Sequence, residues 1–232
     1  RTTNDGDIMQ FRKGGTTVGS WMSRAGVVSS IILDPRSGGG GLSGGGAGLY
    51  PTDNAGTISD GALTLGDPAA RFKDLYLSGG VYLGGTGSNN KLDDYEFGSW
   101  NPTYTSSSTD PTFSPNLQNG EYTKIGRMVY ASFRLRGAIS GTKTGNLRLS
   151  GLPFTANSSP ANGSGGVGLT ENFGASNYPT NLRVNQSATY INLTVYDQSD
   201  PRQGLFTNVT VTSTSGSSSG NYIIGHVVYQ TD

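Results

Sequence analysis

Asp93, Asp94 and Glu96 form the densest group of carboxylates in the chain. Glycan hydrolysis needs two carboxyl groups flanking the scissile bond, about 5 Å apart for retention and somewhat more for inversion. Ser140-Gly-Thr-Lys143 has the Ser-x-x-Lys spacing of serine acylation, and Lys143-Thr-Gly145 the Lys-Thr-Gly that accompanies it. Both share one lysine, whereas that chemistry needs two basic residues, a helix to present the serine and a Ser-Asp-Asn loop, so the segment reads as a glycine-rich hairpin turn. His226 is the only histidine and lies in a strand pattern. It has no partner for a multi-histidine metal site or a Cys-His pair and reads as a partly buried structural residue. Asn4-Asp-Gly-Asp7 offers oxygen ligands but lacks the further carboxylates of a calcium loop. Gly85-Thr-Gly87 is not followed by a third glycine or a helical pattern, which removes the case for nucleotide binding. Five Asn-x-Ser/Thr triplets, at Asn157, Asn162, Asn185, Asn192 and Asn208, are near chance in a chain so rich in Asn, Ser and Thr. No catalytic residue, metal ligand or cofactor site is expected.

Composition narrows the classes further. Charged residues make up 14% of the 232, sixteen of each sign, so no net field attracts nucleic acid or an anionic membrane. Cysteine is absent, so stability must come from packing or oligomerisation rather than from disulfides or thiolate metal sites. The longest apolar runs, as at 27–33, are far short of the roughly 20 residues that span a bilayer. The chain opens at Arg1 without an initiator Met or an apolar leader, which suggests the C-terminal portion of something longer or processed.

The elements that must position any site fall into two regions. Residues 1–92 read as short β segments cut by glycine, at 7–12, 17–21, 28–33, 63–65, 72–77 and 81–83. Residues 37–48 are almost entirely Gly, Ser and Ala. A lone chain ordering so much glycine with so little apolar surface loses more entropy than it regains. Burial supplied by other copies resolves the deficit, because intertwined chains share a thin core and glycine tolerates close backbone approach near the axis. A flexible Gly/Ser linker is the alternative for 37–48. The lack of a strict Gly-X-Y period excludes collagen.

From Asp93 the segments lengthen and alternate. Over 127–137, Val129, Ala131, Phe133 and Leu135 fall on one face, and Tyr130, Ser132, Arg134 and Arg136 on the other. Leu147 and Leu149 around Arg148 repeat the pattern, as do Ile191, Leu193 and Val195. With 121–125, 166–170, 180–184, 205–212 and 221–229, this predicts eight or nine strands. The expected fold is all-β: an intertwined trimeric β shaft over 1–92, then an antiparallel β-sandwich head of jelly-roll type over 93–232, with an antiparallel barrel as the alternative for the head.

Several segments together carry a family likeness. Arg71-Phe-Lys-Asp-Leu-Tyr-Leu-Ser-Gly-Gly-Val-Tyr-Leu-Gly-Gly-Thr-Gly87 resembles a segment recurrent in bacteriophage tail-fibre and virion structural proteins, where a repetitive shaft joins a terminal domain. Lys91-Leu-Asp-Asp-Tyr-Glu-Phe-Gly-Ser-Trp-Asn-Pro102 resembles that family's opening of the head domain, usually Asp-Tyr-Glu-Glu-Gly-Thr-Trp-Thr-Pro, with Phe97, Ser99 and Asn101 as departures. Gly120-Glu-Tyr-Thr-Lys-Ile-Gly-Arg-Met-Val129 and Gly145-Asn-Leu-Arg-Leu-Ser-Gly-Leu-Pro-Phe154 are similar to its next strands and turn. Gly6-Asp-Ile-Met-Gln-Phe-Arg-Lys-Gly-Gly-Thr-Thr-Val-Gly19 is similar to its shaft strands. The likeness puts Asp93, Asp94 and Glu96 in the shaft-to-head junction, solvating or capping a turn beneath Trp100. Glu96-Phe-Gly98-Ser-Trp100 also approaches a sialidase Asp-box, but with its tryptophan one residue early and Glu for Asp.

The resemblance implies a homotrimeric, non-enzymatic tail-fibre tip. It would sit outside the cell as part of the virion, join other virion tail proteins and bind a bacterial surface glycan or other receptor. A purely structural fibre or decoration protein and a glycan depolymerase are the rival readings. Counting strands outward from Trp100 puts 106–118, 138–144, 173–179 and 197–204 at the far end, and 153–165 and 213–220 at the shaft side. The far set, with Tyr196 at a strand end, supplies the expected receptor-binding residues: Phe113, Phe173, Tyr178, Tyr196, Asp200 and Arg202. Aromatic faces and planar polar groups suit sugars. The competing role for Phe113 and Phe173 is to plug the sandwich ends or the trimer contact.

Overall fold

A computed structural model describes residues 5–141, 144–158, 163–173, 178–196, 206–208 and 220–232. The fold is all-β. Among the described residues there is no α-helix, only a 3-10 turn at Ser88–Asn90, and every strand pairing is antiparallel. Two compact units divide the chain, Arg1–Tyr76 and Leu77–Asp232. The division falls ahead of the change in sequence pattern at Asp93, so residues 77–92 group with the second unit.

The first unit is a meander in chain order: β1 (Gly6–Lys13), β2 (Thr16–Arg24), β3 (Val28–Ile32), β4 (Gly40–Gly45) and β5 (Gly48–Asp53). Residues 37–48 are therefore chiefly strand and turn. Gly41 pairs with Ile32, and a Cβ on it would overlap the Ile31 carbonyl oxygen, so glycine is what lets β4 lie against β3. The register sorts the two faces. One carries Ser20, Ile32, Gly41 and Thr52 in a single cross-strand row, with Ser30 opposite Ser43 in the next. These residues are buried, in part beneath Arg24, whose Nε donates to Ser43 Oγ at 2.9 Å. The other face carries the row Met9, Trp21, Ile31, Leu42 and Pro51. Its four large apolar side chains are each more than two-fifths exposed. Apart from Ile32, small polar residues and glycine are inside and large apolar ones outside, the reverse of the usual half-buried sheet.

Beyond Asp53 the expected strands at 63–65 and 72–77 do not form. No ladder runs between Asn54 and Gly80 except an isolated bridge of Ile58 to Thr52. A strand needs a partner, and among the described residues these segments have none. Their apolar side chains are exposed, Tyr76 at 91%.

The second unit holds the hydrophobic core. A two-stranded ladder, β6 (Val81–Tyr82) with β7 (Lys91–Leu92), precedes a ten-stranded curled sheet. Its strands are β8 (Tyr95–Trp100), β9 (Thr103–Ser106), β10 (Thr112–Ile125), β11 (Met128–Ser140), β12 (Leu147–Ser150), β13 (Gly163–Glu171), β14 (Asn181–Val184), β15 (Tyr190–Tyr196), β16 (Phe206–Asn208) and β17 (Asn221–Gln230). They bond in the order β8-β10-β11-β17-β13-β14-β15-β12-β9, with β16 beside β15. The path is one continuous ladder whose two end strands, β8 and β9, are consecutive in the chain.

The corner between them is Asn101-Pro102. Gln118 Nε2 bridges it, donating to the Pro102 carbonyl at 2.9 Å and to Thr103 Oγ1 at 3.0 Å. Trp100 fixes it from inside. Its ring lies edge-on to Phe133 at 5.9 Å, and its Nε1 donates to the Ser132 carbonyl at 3.1 Å. Gly120 is the residue opposite it in the ladder, where a Cβ would stand within 2.6 Å of the indole. Inward positions match the alternation read from sequence: Val129, Ala131, Phe133, Leu135, Leu147, Leu149, Ile191 and Leu193 are all buried. β10 starts nine residues before the expected 121. The proline at Pro115 obscured it, and that is where a bulge shifts the register.

Two outcomes follow from this core. Gly120→Ala forces the Trp100 indole off its seat and costs about 1–3 kcal/mol, measurable by urea denaturation together with a shift in tryptophan emission. Tyr229 is buried, and desolvation lifts its phenol from the ordinary 10 to about 12. The fold thus favours the protonated form. That contribution is intact below pH 10 and is lost as the pH climbs from 10 through 12. Tyr229→Phe has no phenol to titrate, so its urea midpoint falls less steeply than the wild type's across that window.

Candidate functional site

The far-end aromatics converge on Tyr104 in β9, which is fully buried. Phe113 of β10 packs edge-on against it at 5.1 Å and Phe173 at 6.4 Å, while Tyr178 lies tilted on Phe173 at 6.2 Å. Of the six residues expected to touch a receptor, these three therefore come together. Phe173 is buried and Phe113 half-buried, both as core packing, and Tyr178, 39% exposed, keeps a ring surface open to solvent. Tyr196 ends β15 opposite Phe206. Its side chain, Asp200 and Arg202 lie outside the described residues. Gly220, expected at the shaft side, instead belongs to the Phe173 end: its carbonyl accepts from Asn172 Nδ2 at 2.8 Å, and its neighbour Asn221 pairs with Gly137. The cause is β17, which begins opposite the end of β11 and so places Gly220 there.

A second surface was legible only in part. On the outer face of β8, β10, β11 and β17, the register sets side chains in cross-strand rows. Tyr95, Ile125 and Met128 form one row, Phe97, Thr123, Tyr130 and Val228 the next, then Ser99, Glu121, Ser132 and His226, then Asn119 and Arg134. The face passes from apolar to polar along the strands. An open depression of about 580 Å³ is lined by Tyr95, Phe97, Tyr130, Ser99, Glu121 and Ser132. Another of about 430 Å³ shares Glu121, Tyr130 and Ser132 with it and adds Arg134 and His226. His226 is exposed rather than partly buried, and it stacks on Tyr130 at 5.5 Å. Aromatic faces beside a carboxylate, hydroxyls and an imidazole can hold a polyhydroxylated ligand by ring contact and hydrogen bonding. Alternation put Tyr130 on this face. Tyr95 and Phe97 alternate in the same way with Glu96 and Gly98, a signal available in the sequence but outweighed by the loop argument.

The acidic cluster is divided among three partners. Asp93 pairs with Lys91 at 2.8 Å, Asp94 with the buried Lys124, and Glu96 accepts from the Tyr122 hydroxyl. The Lys91 ammonium, by hydrogen bond and charge, holds the Asp93 carboxyl below its ordinary range. The Glu96 bond raises the Tyr122 phenol. The Asp94 carbonyl also accepts from Gly126 N at 2.7 Å, so the junction is tied to the β10–β11 turn. Among the described residues no three His, Asp or Glu side chains are grouped to hold a metal ion. Of the hairpin with the Ser-x-x-Lys spacing, Lys143 lies outside the described residues.

Asp94→Asn leaves the Lys124 ammonium buried without its counter-charge and lowers stability by about 1–3 kcal/mol in urea titrations, and Lys124→Met in the same background restores part of the loss.

Comparison of the chain with protein families, with curated proteins and with solved structures finds no match in any of the three.

Proposed function

We propose that this chain is the distal part of a bacteriophage tail fibre or related virion adhesin, a non-enzymatic homotrimer that binds a glycan or other receptor on the bacterial surface. Residues 1–92 act as the intertwined β shaft and 93–232 as a sandwich-like, jelly-roll-like head, the two halves of the curled sheet facing one another across the core. One observation carries the reading. Among the described residues, 22 of the 30 exposed large apolar side chains precede Asp93, whereas only Ile32 of the 22 buried apolar residues does. A single chain leaves that surface in water at a cost of about 25 cal/mol per Å², and sister copies remove it. The tail-fibre likeness of 71–87 and 91–102 agrees with that need.

Recognition is assigned to the exposed mixed surfaces of the head, with the depression around Tyr130, Glu121 and Ser132 better formed than the surface at Tyr178. Three heads on one fibre turn weak single contacts into firm attachment through effective concentration.

Sedimentation of the purified chain in dilute solution is expected to give three chain masses. Serine at both Leu75 and Tyr76 raises the dissociation concentration more than about tenfold. The trimer is expected to compete with phage for adsorption to host cells, and Tyr130→Ala with Glu121→Gln to weaken that competition without changing the mass. A compact single-copy species overturns the reading. A trimer that never competes leaves a structural fibre part, and shortened host polysaccharide after incubation identifies a depolymerase.

A further inference from the structure

The two faces of the first unit's meander point to where sister copies meet. Ser20, Ser30, Ser43 and Thr52 are buried on one face, while Met9, Trp21, Ile31 and Leu42 stand exposed in one row on the other. Phe11, opposite Gly19, and Leu49, opposite Gly44, extend the same exposed face along the strands. A sheet that worked alone would bury the apolar row and leave the serines in water.

We propose that this apolar face of β1 to β5 is the contact between copies of the chain, each copy presenting its Met9-Trp21-Ile31-Leu42 row to the others. The inference rests on the homotrimer reading and names its surface. The occupant follows from three features of the face. Its row holds no charged side chain, so it offers nothing to steer or pair an ionic partner. From the exposed fractions, the six side chains present on the order of 600 Å² of apolar surface, at the upper limit for a typical monomer. A standard interface uses about 800 Å² per partner, so this one face supplies most of what a stable association needs. A second copy of the chain brings an identical uncharged row and leaves no polar group unpaired against it.

The chain contains no cysteine, so a thiol introduced anywhere is the sole site of modification. Ile31→Cys and Leu42→Cys, in the full chain, are compared with Ala47→Cys at the exposed β4–β5 turn, each checked by sedimentation and labelled with a bulky maleimide. In the trimer, labelling at 31 and 42 is expected to run at least tenfold slower than at 47, and to reach the same rate once the copies are dissociated. As a measurement that leaves the face intact, Trp100→Phe makes Trp21 the only indole, and its acrylamide quenching is expected to be weak in the trimer and strong in single copies. A trimer in which 31 and 42 label as fast as 47, with Trp21 freely quenched, overturns this surface while leaving the trimer standing. A monomer at all concentrations overturns both.

Discussion

The inner strands of the first unit satisfy their backbone within one chain, while its apolar side chains stay uncovered. β2, β3 and β4 each pair on both sides, and β1 and β5 are the edges of the sheet. The same ladder forces successive residues to opposite faces, and this sequence puts Ser20, Ser30, Ser43 and Thr52 on the buried face, Ser43 beneath Arg24. In the observed register Gly41 fits beneath the Ile31 carbonyl, and Leu42 beside it falls on the apolar face. Hydrogen bonding and burial are thus in conflict in an isolated copy, and the conflict is removed only by something that covers the apolar row. With a second copy of the chain as that cover, as proposed above, the stability of this unit is tied to chain concentration by mass action.

The second unit resolves the same conflict internally. Trp100 marks the point where the strand leaving one edge of the sheet starts the other edge. Its ring needs the space that glycine leaves at position 120, and its Nε1 needs the Ser132 carbonyl. Pro102 follows where the chain turns, and its carbonyl takes the Gln118 amide. The Trp-Asn-Pro run is therefore a device for curling the sheet. Phe97 lies on the outer face and has no part in that device.

These two kinds of burial explain what could be read from the residues alone. β11, β12, β15 and β17 were legible because large apolar residues alternate with polar ones, and the burial of Leu149, Ile191 and Val227 follows that alternation. β4 was not, since glycine has no side chain to alternate, and β5 was not, since Pro51 interrupts it. The segments at 63–65 and 72–77 have strand-like residues without a strand, because period alone does not supply a partner. The far-end aromatics were legible as a group, but their division between core and surface was not: Phe173 and Tyr178 differ in burial through packing against Tyr104 that no local spacing encodes. Only the sheet's register shows that Glu121, Ser132 and His226 share a row, since His226 comes from a strand far along the chain from the β10–β11 hairpin that carries the other two.

Topology separates the two units in a further respect. The meander is built from neighbours in sequence, each strand able to pair as soon as the next is present. In the second unit the last strand, β17, lies in the middle of the sheet between β11 and β13, and it carries Ile223, Val227 and Tyr229 into the core. Without it, β10 and β11 stand apart from β13 to β15, and neither half has enough of its own apolar surface covered. Closure of the second unit therefore waits on β17, an event within one chain. The meander takes no strand from that sheet, so loss of β17 opens the ten-stranded sheet while leaving the five-stranded ladder paired.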